Sequence, residues 1–192
     1  MKKYRLLLPF VVLLMGASAC TGNAGKPECI VEGDLSFDEY KTVYLTDRQG
    51  NPADTCEVDN GRFRFVRPTD TGEPYVAVLQ MVAAQDSTDR LDMPVAIENG
   101  TVRVGIGEYI QLSGTPLNKR IKEFLDALQH CKDGLGSKPG TTVEEIRGIF
   151  SEFYRQQILS NKDNAVGEYI YRNYGVHLNA DDSALVKAQM GN

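Results

Sequence analysis

The chain has 192 residues, of which 42% are hydrophobic and 24% are charged. These fractions are close to the averages of soluble globular domains, so they exclude a wholly disordered chain and a polytopic membrane protein. The length favours one domain, or one domain with an appendage. The formal net charge is −5, with 21 Lys and Arg against 26 Asp and Glu. Because binding to a phosphate backbone requires clustered basic residues, we expect no nucleic-acid partner.

The first twenty residues have the composition of a secretion signal that ends in a cysteine. They run from basic residues through an apolar stretch to small residues: Lys2, Lys3 and Arg5, then 6–15, then 16–19. The apolar stretch is shorter than the ~20 residues that a membrane-spanning helix needs. We therefore interpret residues 1–19 as a signal peptide, which is removed from the mature protein.

The last four residues of this segment, Ala17-Ser18-Ala19-Cys20, resemble a bacterial lipobox. In that motif small residues admit the signal peptidase, and the cysteine thiol receives diacylglycerol. The resemblance predicts lipidation at Cys20 and a short polar tether over residues 20–26. Ala17 stands where lipoboxes usually have Leu, so plain signal cleavage is the alternative.

The charge of the processed chain and the residues after Cys20 predict how the protein is attached and which compartment it faces. Cleavage removes three basic residues, and the more acidic chain that remains is repelled by anionic lipid surfaces. Membrane attachment would then depend on the acyl chains, whose burial is worth ~0.8 kcal/mol per CH₂. No acidic cluster follows Cys20, and in some Gram-negative bacteria such a cluster directs export to the cell surface. We expect a protein of the bacterial cell envelope, lipid-anchored and facing the periplasm.

The first half of the mature chain has the period-two pattern of β-strands. We predict an antiparallel β-sandwich or barrel over residues 27–113, with seven or eight short strands. Two Asn-Gly pairs, Asn60-Gly61 and Asn99-Gly100, favour tight hairpins because both residue types tolerate positive φ. The apolar alternation is found at 29–33, 43–46, 56–58, 62–65, 75–82, 94–97, 102–106 and 109–112.

Residues 114–192 change to the period of a helix, which makes the whole an α+β protein with three to four helices after the β-domain. Thr115 and Pro116 begin the first helix, and a loop follows over 132–141. Thr142 and Glu145 form a capping-box pattern. The remaining predicted boundaries are Asp163 as the cap of a third helix, Gly175 as its end, and a fourth helix from Asp181. The predicted core stripes are Leu117, Ile121, Phe124, Leu125 and Leu128; Ile146, Ile149, Phe150, Phe153, Tyr154 and Ile158; and Val166, Tyr169, Ile170 and Tyr174.

Several short motifs, in order, resemble an uncharacterised lipoprotein domain of unknown function. They are CIVEG at 29–33, VYL at 43–45, DT at 54–55, NGRFRF at 60–65, GTPLN at 114–118 and DNAVGEY at 163–169. In Bacteroidota-type envelope proteins that domain precedes a thioredoxin-like domain of the alkyl-hydroperoxide-reductase and thiol-specific-antioxidant type. The resemblance implies an envelope partner with a thioredoxin-like fold. This chain has no C-x-x-C and stops where such a domain would begin, which indicates a standalone relative or a truncated reading frame.

Three cysteines remain once Cys20 is acylated. Cys29 and Cys56 share the phase of core residues, so we predict a disulfide between them if their strands are neighbours. The alternative is two small buried hydrophobic residues. Cys131 lies beside His130, but adjacent helical residues point about 100° apart, which places His130 poorly as its base. A thiol enzyme using Cys131 is therefore a lesser alternative.

No motif in the sequence specifies a reaction. The two histidines, His130 and His177, lack zinc-site spacing, so we expect neither a metal nor a cofactor. Tyr169, Tyr171 and Tyr174 gather on one predicted helix, where Tyr169 points inward and Tyr171 lies off that face; an exposed Tyr can anchor a partner or a glycan. The sequence thus predicts a non-catalytic accessory or interaction module, with a small-ligand or glycan binder as the alternative.

Overall fold

The computed structural model describes residues 26–70, 72–86, 88–136 and 140–191. The predicted signal peptide, Cys20 and most of the tether lie outside the described residues. Within the described part, eight strands form two four-stranded sheets, and four α-helices follow them in the chain. The α+β class and the β-rich amino-terminal half are confirmed.

The boundaries of the elements are as follows. The strands are β1 (Glu28–Leu35), β2 (Tyr40–Thr46), β3 (Pro52–Glu57), β4 (Arg62–Pro68), β5 (Tyr75–Ala83), β6 (Arg90–Ile97), β7 (Gly100–Ile106) and β8 (Ile110–Ser113). The helices are α1 (Pro116–Gly136), α2 (Val143–Ser160), α3 (Ala165–Tyr174) and α4 (Ala180–Met190), with a 3₁₀ turn at Gly175–His177 between the last two. The first helix therefore continues through residues 132–136, which the sequence pattern assigned to a loop.

The two sheets form a sandwich, and the chain passes from one sheet to the other four times. The first sheet has the order β4-β1-β7-β8, and the second has the order β3-β2-β5-β6. Neighbours pair antiparallel except β1 and β7, which run parallel with Cys29 opposite Gly100 and Leu35 opposite Ile106. The expectation of an antiparallel domain is wrong at this pair. Parallel neighbours need a long connection, and here it consists of the five strands between β1 and β7.

The Asn60-Gly61 turn forms, but neither Asn-Gly pair joins two strands of one sheet. Asn60 and Gly61 have φ values of 50° and 76°, and Asp59 and Arg62 exchange two backbone hydrogen bonds of 2.9 Å around them. The flanking strands β3 and β4 nevertheless lie in different sheets, as do β6 and β7 on either side of Asn99-Gly100. The predicted hairpins are therefore wrong as strand pairs. Turn chemistry reverses the chain, whereas sheet membership depends on distant pairing partners.

The core lies between the sheets and continues under the helices. Alternate residues of each strand face inward, as in β4, where Phe63 and Phe65 are buried while Arg62 and Arg64 face solvent. The largest fully buried side chains include Leu45, Leu79, Met81, Val95 and Val102 from the strands and Phe124, Ile121, Ile158 and Ile170 from the helices. One hydrophobic cluster thus connects the sandwich to the helical region.

Helix α1 closes one open side of the sandwich. It contacts β6 and β8, which are edge strands of the two different sheets. The opposite side is formed by edge strands β3 and β4, where Arg67 and Asp54 form an ion pair of 3.8 Å. Charged side chains at an edge oppose pairing with strands of another molecule.

The helix ends follow the expected capping chemistry with one correction. The capping box of Thr142 and Glu145 is formed as predicted. The cap of α3 is Asn164 rather than Asp163, because the Asn164 side chain accepts the hydrogen bond from Val166 N. Gly175 is the C-cap of α3, as predicted; its φ of −59° is right-handed, and the 3₁₀ turn begins at this residue. Ile149, predicted in the core stripe of α2, is 37% exposed.

Candidate functional site

The sandwich has two distinct ends. The chain enters at the end where Thr69 N donates to Pro27 O at 2.9 Å and Glu28 N donates to Asn99 Oδ1 at 3.2 Å. We call this the proximal end. The opposite, distal end is reached after β1, which has eight residues. Since a strand rises about 3.3 Å per residue, the two ends are about 25 Å apart.

The distal end exposes a group of large apolar side chains, which we call the distal tip. It consists of Phe37, Tyr109 and Ile110. Tyr109 is 75% exposed, Ile110 44% and Phe37 36%. The ring of Phe37 packs edge-on against buried Tyr40, with centroids 6.3 Å apart. Exposed aromatic and aliphatic side chains that lie together mark interaction surfaces more often than isolated ones do.

Backbone contacts hold the tip loops against the sandwich. Ser36 N donates to Ile106 O at 2.9 Å, and Leu35 N donates to Gly61 O at 2.7 Å. The loop after β1 also approaches Gly107 so closely that a Cβ there would lie 2.8 Å from Ser36 Oγ. Phe37 and Tyr109 therefore sit on neighbouring loops of one backbone framework.

Exposed carboxylates surround the distal tip, and we call them the acidic rim. They are Asp34, Asp38, Glu39, Asp59, Asp86, Asp89 and Glu108. The basic residues at this end are Lys41, Arg62 and Arg90; Arg62 pairs with Asp34, and Arg90 pairs with Asp92 outside the rim. Hydrogen bonds from Thr88 lower the pKa of Asp86 and keep it ionised. Within the described residues, the side chains of Asp38, Glu39 and Glu108 have no hydrogen-bond or ion-pair partner.

The sequence pattern did not single out this tip. Tyr109 was placed in the last strand because it begins the apolar run 109–112. The structure starts β8 one residue later and leaves Tyr109 in the turn. The exposure of Tyr109 could have been predicted from Gly107-Glu108, which precede it and favour a turn. A turn between two strands presents its side chains to solvent.

A second concave surface, the helical groove, lies between α2 and the 3₁₀ turn. Its volume is about 490 Å³, and its apolar lining comprises Ile146, Phe150, Val176 and Leu178. Val176 is 81% exposed. The imidazole of His177 stacks on Tyr154 with centroids 5.5 Å apart, beside Arg147. Small-ligand sites combine apolar walls with a few polar groups in this volume range.

The structure does not bring Cys29 and Cys56 together. Cys29 lies in β1 of the first sheet and Cys56 in edge strand β3 of the second, so their strands are not neighbours, and both thiols are free. Burial raises the pKa of the Cys29 thiol, which lies within 4.0 Å of Ala96 O. Cys56 is partly buried against the core. Cys29 thus has the predicted core phase and matches the alternative of a small buried hydrophobic side chain, whereas Cys56 is only partly buried.

Cys131 and His130 do not form a catalytic pair. The His130 ring contacts Asp126 O through Nδ1 at 2.7 Å, one turn back along α1. Cys131 is a free, half-buried thiol that faces the neighbourhood of Tyr154. No cation is paired with the Cys131 thiol among the described residues.

The tyrosines of α3 belong to a buried aromatic cluster. Tyr174 stacks on Tyr154 with centroids 4.9 Å apart and packs edge-on against Phe124 at 5.4 Å. Tyr169 is buried as predicted, whereas Tyr171 is half-buried rather than exposed. Burial raises the pKa of Tyr154 to about 12 and also raises the pKa values of Tyr169 and Tyr174. These rings hold α1, α2 and α3 together.

A polar network between α2 and α4 also escaped the sequence analysis. Ser151 Oγ donates to Asp182 Oδ2 at 2.5 Å and accepts from Asn179 N at 2.8 Å. Asp182 is also paired with Arg155 at 2.8 Å. Ser151 is buried, so a substrate has no access to this hydroxyl. The network serves to fasten α4 to α2.

The comparisons with known proteins match the β-sandwich and the start of α1. Residues 29–121 match a family described as "Domain of unknown function (DUF4369)". The match begins in β1, covers the other seven strands and ends inside α1, so the sandwich and its junction with the helices form the matched unit. No curated protein matches the chain.

Across residues 26–191, apart from the undescribed positions, no group of His, Cys, Asp or Glu has the arrangement of a metal site. No helix in this part is long and apolar enough to cross a membrane.

Proposed function

We propose that this protein is a non-catalytic accessory module of the bacterial cell envelope, anchored by lipid at Cys20, which presents its distal tip to a partner protein in the periplasm. The observation that carries the proposal is the opposition of the two ends: the chain enters at Pro27, and the exposed aromatic tip lies at the far end of β1. A partner could reach the tip without meeting the lipid surface.

The dimensions support this orientation. A tether over residues 20–26 reaches at most about 25 Å when fully extended. The sandwich adds about another 25 Å between its ends. The distal tip would therefore stand up to about 50 Å from the anchoring lipid.

The partner that we favour is an envelope protein with a thioredoxin-like fold. Support comes from the resemblance to a lipoprotein domain that precedes such folds, and the family match covers the strands that carry most of its motifs. A thioredoxin-type site needs two thiols two residues apart. Cys29, Cys56 and Cys131 do not meet this condition. We propose that any thiol–disulfide chemistry is performed by the partner.

The anchor is tested by replacing Cys20. The C20A chain should lose metabolic labelling with a radioactive fatty acid and should no longer partition with membranes. The C131A chain is the matched control and should retain both. Unchanged labelling and partitioning of the C20A chain would exclude the lipid anchor and favour plain signal cleavage.

The docking role is tested with a photo-cross-linking amino acid placed at position 109 or, as a control of equal exposure, at position 176. A discrete cross-linked envelope protein is expected only from position 109. Peptide mass spectrometry would identify this protein, and its sequence would show whether it contains a thioredoxin-like domain. Equal cross-linking from both positions, or none from position 109, contradicts docking through the tip.

The absence of intrinsic activity has its own test. The purified mature protein should reduce insulin disulfides and peroxide no faster than buffer containing dithiothreitol. Turnover that disappears in the C131S chain would overturn the proposal and favour a thiol enzyme.

A second candidate function, the binding of a small apolar ligand, is favoured only by the helical groove of about 490 Å³. Fatty acids and short oligosaccharides serve as probes in a thermal-shift assay, because a ligand of the native state raises its apparent stability. A shift that V176W abolishes would support this function. An unchanged melting temperature with every probe would remove its support.

A further inference from the structure

The distal tip combines an apolar centre with a surround in which carboxylates outnumber basic side chains. Tyr109 and Ile110 expose apolar area, and the acidic rim contributes seven carboxylates. Among the described side chains, a basic partner is found for only one rim carboxylate, Asp34. Docking surfaces of proteins commonly have an apolar core and a polar rim, with aromatic side chains supplying most of the affinity.

The negative charge of the rim favours some binding partners for this surface over others. A second copy of this chain, docked tip to tip, would bring two acidic rims together, and juxtaposed like charges oppose association. An anionic lipid surface meets the same repulsion, and the tip lies at the end opposite the predicted anchor. A protein surface that is positively charged is complementary.

We propose that the distal tip docks a cationic protein segment, whose Lys or Arg side chains contact the acidic rim while an apolar side chain covers Tyr109 and Ile110. This inference rests on the proposed function and adds the chemistry of the partner to it. Asp38, Glu39 and Glu108 are the contacts of first choice, because none is engaged by another described side chain. Phe37 and Tyr109, on the same two loops as these carboxylates, supply the apolar contact.

This arrangement predicts that the rim carboxylates and the apolar tip residues affect different steps of binding. Rim charges mainly raise the association rate and make binding sensitive to salt, because exposed charges are screened within about 8–10 Å at physiological ionic strength. The aromatic tip, which is desolvated in the complex, mainly slows dissociation. Substitutions in the acidic rim should therefore change mainly the association rate constant, and substitutions of the tip aromatic residues mainly the dissociation rate constant.

The test uses the mature chain as purified from membranes and two fluorescent peptides: a 15-residue peptide of Lys and Leu, and its counterpart with Glu at every Lys. The Lys peptide should bind, and its affinity should fall about tenfold or more between 50 and 300 mM NaCl. The Glu peptide should not bind. The D38K/E108K chain should lose at least tenfold in affinity, mainly through slower association, and Y109A should lose a similar factor through faster dissociation.

Two variants far from the tip serve as matched controls. D163K changes an exposed carboxylate near the amino end of α3, and V176A truncates an exposed apolar side chain in the 3₁₀ turn. Both should bind the Lys peptide within twofold of the parent. Every test position is exposed, so the melting temperature of each variant should match that of the parent and exclude misfolding as the cause of lost binding.

Several results would overturn the inference. If D163K weakens binding as much as D38K/E108K, the attraction is general and the tip is not the site. Equal binding of both peptides, or no salt dependence, removes the cationic partner; cross-linking from position 109 would then still support the proposed function. Concentration-dependent dimerisation that Y109A abolishes would identify the tip as a contact between copies of this chain.

Discussion

Asn118 and Ala96 exchange two hydrogen bonds that join α1 to the edge strand β6. Ala96 N donates to Asn118 Oδ1, and Asn118 Nδ2 donates to Ala96 O, both at 2.9 Å. The side-chain amide thus occupies the place of a further strand at the free edge. Thr115 Oγ1 accepts a third hydrogen bond from the same amide at 2.8 Å, so one buried side chain ties the start of the helix to the sandwich.

Asn118→Ala should destabilise the fold by about 3 kcal/mol, because each buried backbone group left without a partner costs about 1–3 kcal/mol. The measurement is the urea concentration at the midpoint of unfolding. Gln129→Ala, an exposed change on the same helix, is the control and should alter stability by less than about 0.5 kcal/mol. Equal effects of the two substitutions would show that the Ala96 contact contributes nothing.

Two helical glycines should respond in opposite directions to the same substitution. A Cβ at Gly167 would lie 2.2 Å from Asn161 O, so Gly167→Ala must separate the start of α3 from the end of α2 and should cost about 2 kcal/mol or more. Gly148 in α2 has open space around it, and Gly148→Ala should stabilise the protein by about 0.5–1 kcal/mol. Melting temperatures that fall for both, or rise for both, contradict this packing.

The buried tyrosines should make the protein sensitive to alkaline pH. The pKa of Tyr154 is raised to about 12, and those of Tyr169 and Tyr174 are also raised, chiefly by burial. The unfolded chain releases these protons near pH 10, so between about pH 10 and 12 the native state binds more protons than the unfolded state. Stability therefore falls as pH rises through this interval.

The tyrosine prediction is checked by urea unfolding at several pH values, with tyrosinate absorbance recorded in parallel. The parent should lose stability steadily above pH 10. Tyr154→Phe should reduce the slope, because one of the titrating groups is removed. An unchanged slope would show that Tyr154 ionises equally in both states.

The three described cysteines should react as free thiols of unequal accessibility. In the Cys20→Ala chain without reductant, Cys56 and Cys131 should be alkylated under native conditions, because both are half-buried. Cys29 should resist alkylation until denaturant is added, since it is fully buried and its pKa is raised. Mass spectrometry that finds fewer than three alkylated sites after denaturation would indicate a disulfide.

Features that depend on near neighbours in the chain were predictable from the sequence. The positive φ values of Asn60 and Gly61, the capping box of Thr142 with Glu145, and the buried stripe of α1 all follow from residues within a few positions of one another. The change from strands to helices near Gly114 is of the same kind. Each of these features arises from short-range sterics, hydrogen bonding or the period of burial.

The candidate site and the topology were decided by contacts between residues far apart in the chain. Whether β3 pairs with β4, and whether β1 and β3 are neighbours so that Cys29 and Cys56 can meet, depends on which distant strand each one pairs with. Phe37 and Tyr109 lie more than 70 positions apart, and only the parallel pairing of β1 with β7 brings their loops to one end. The local pattern determines which side chains of a strand face the core. The packing of the whole core determines which strands become its neighbours.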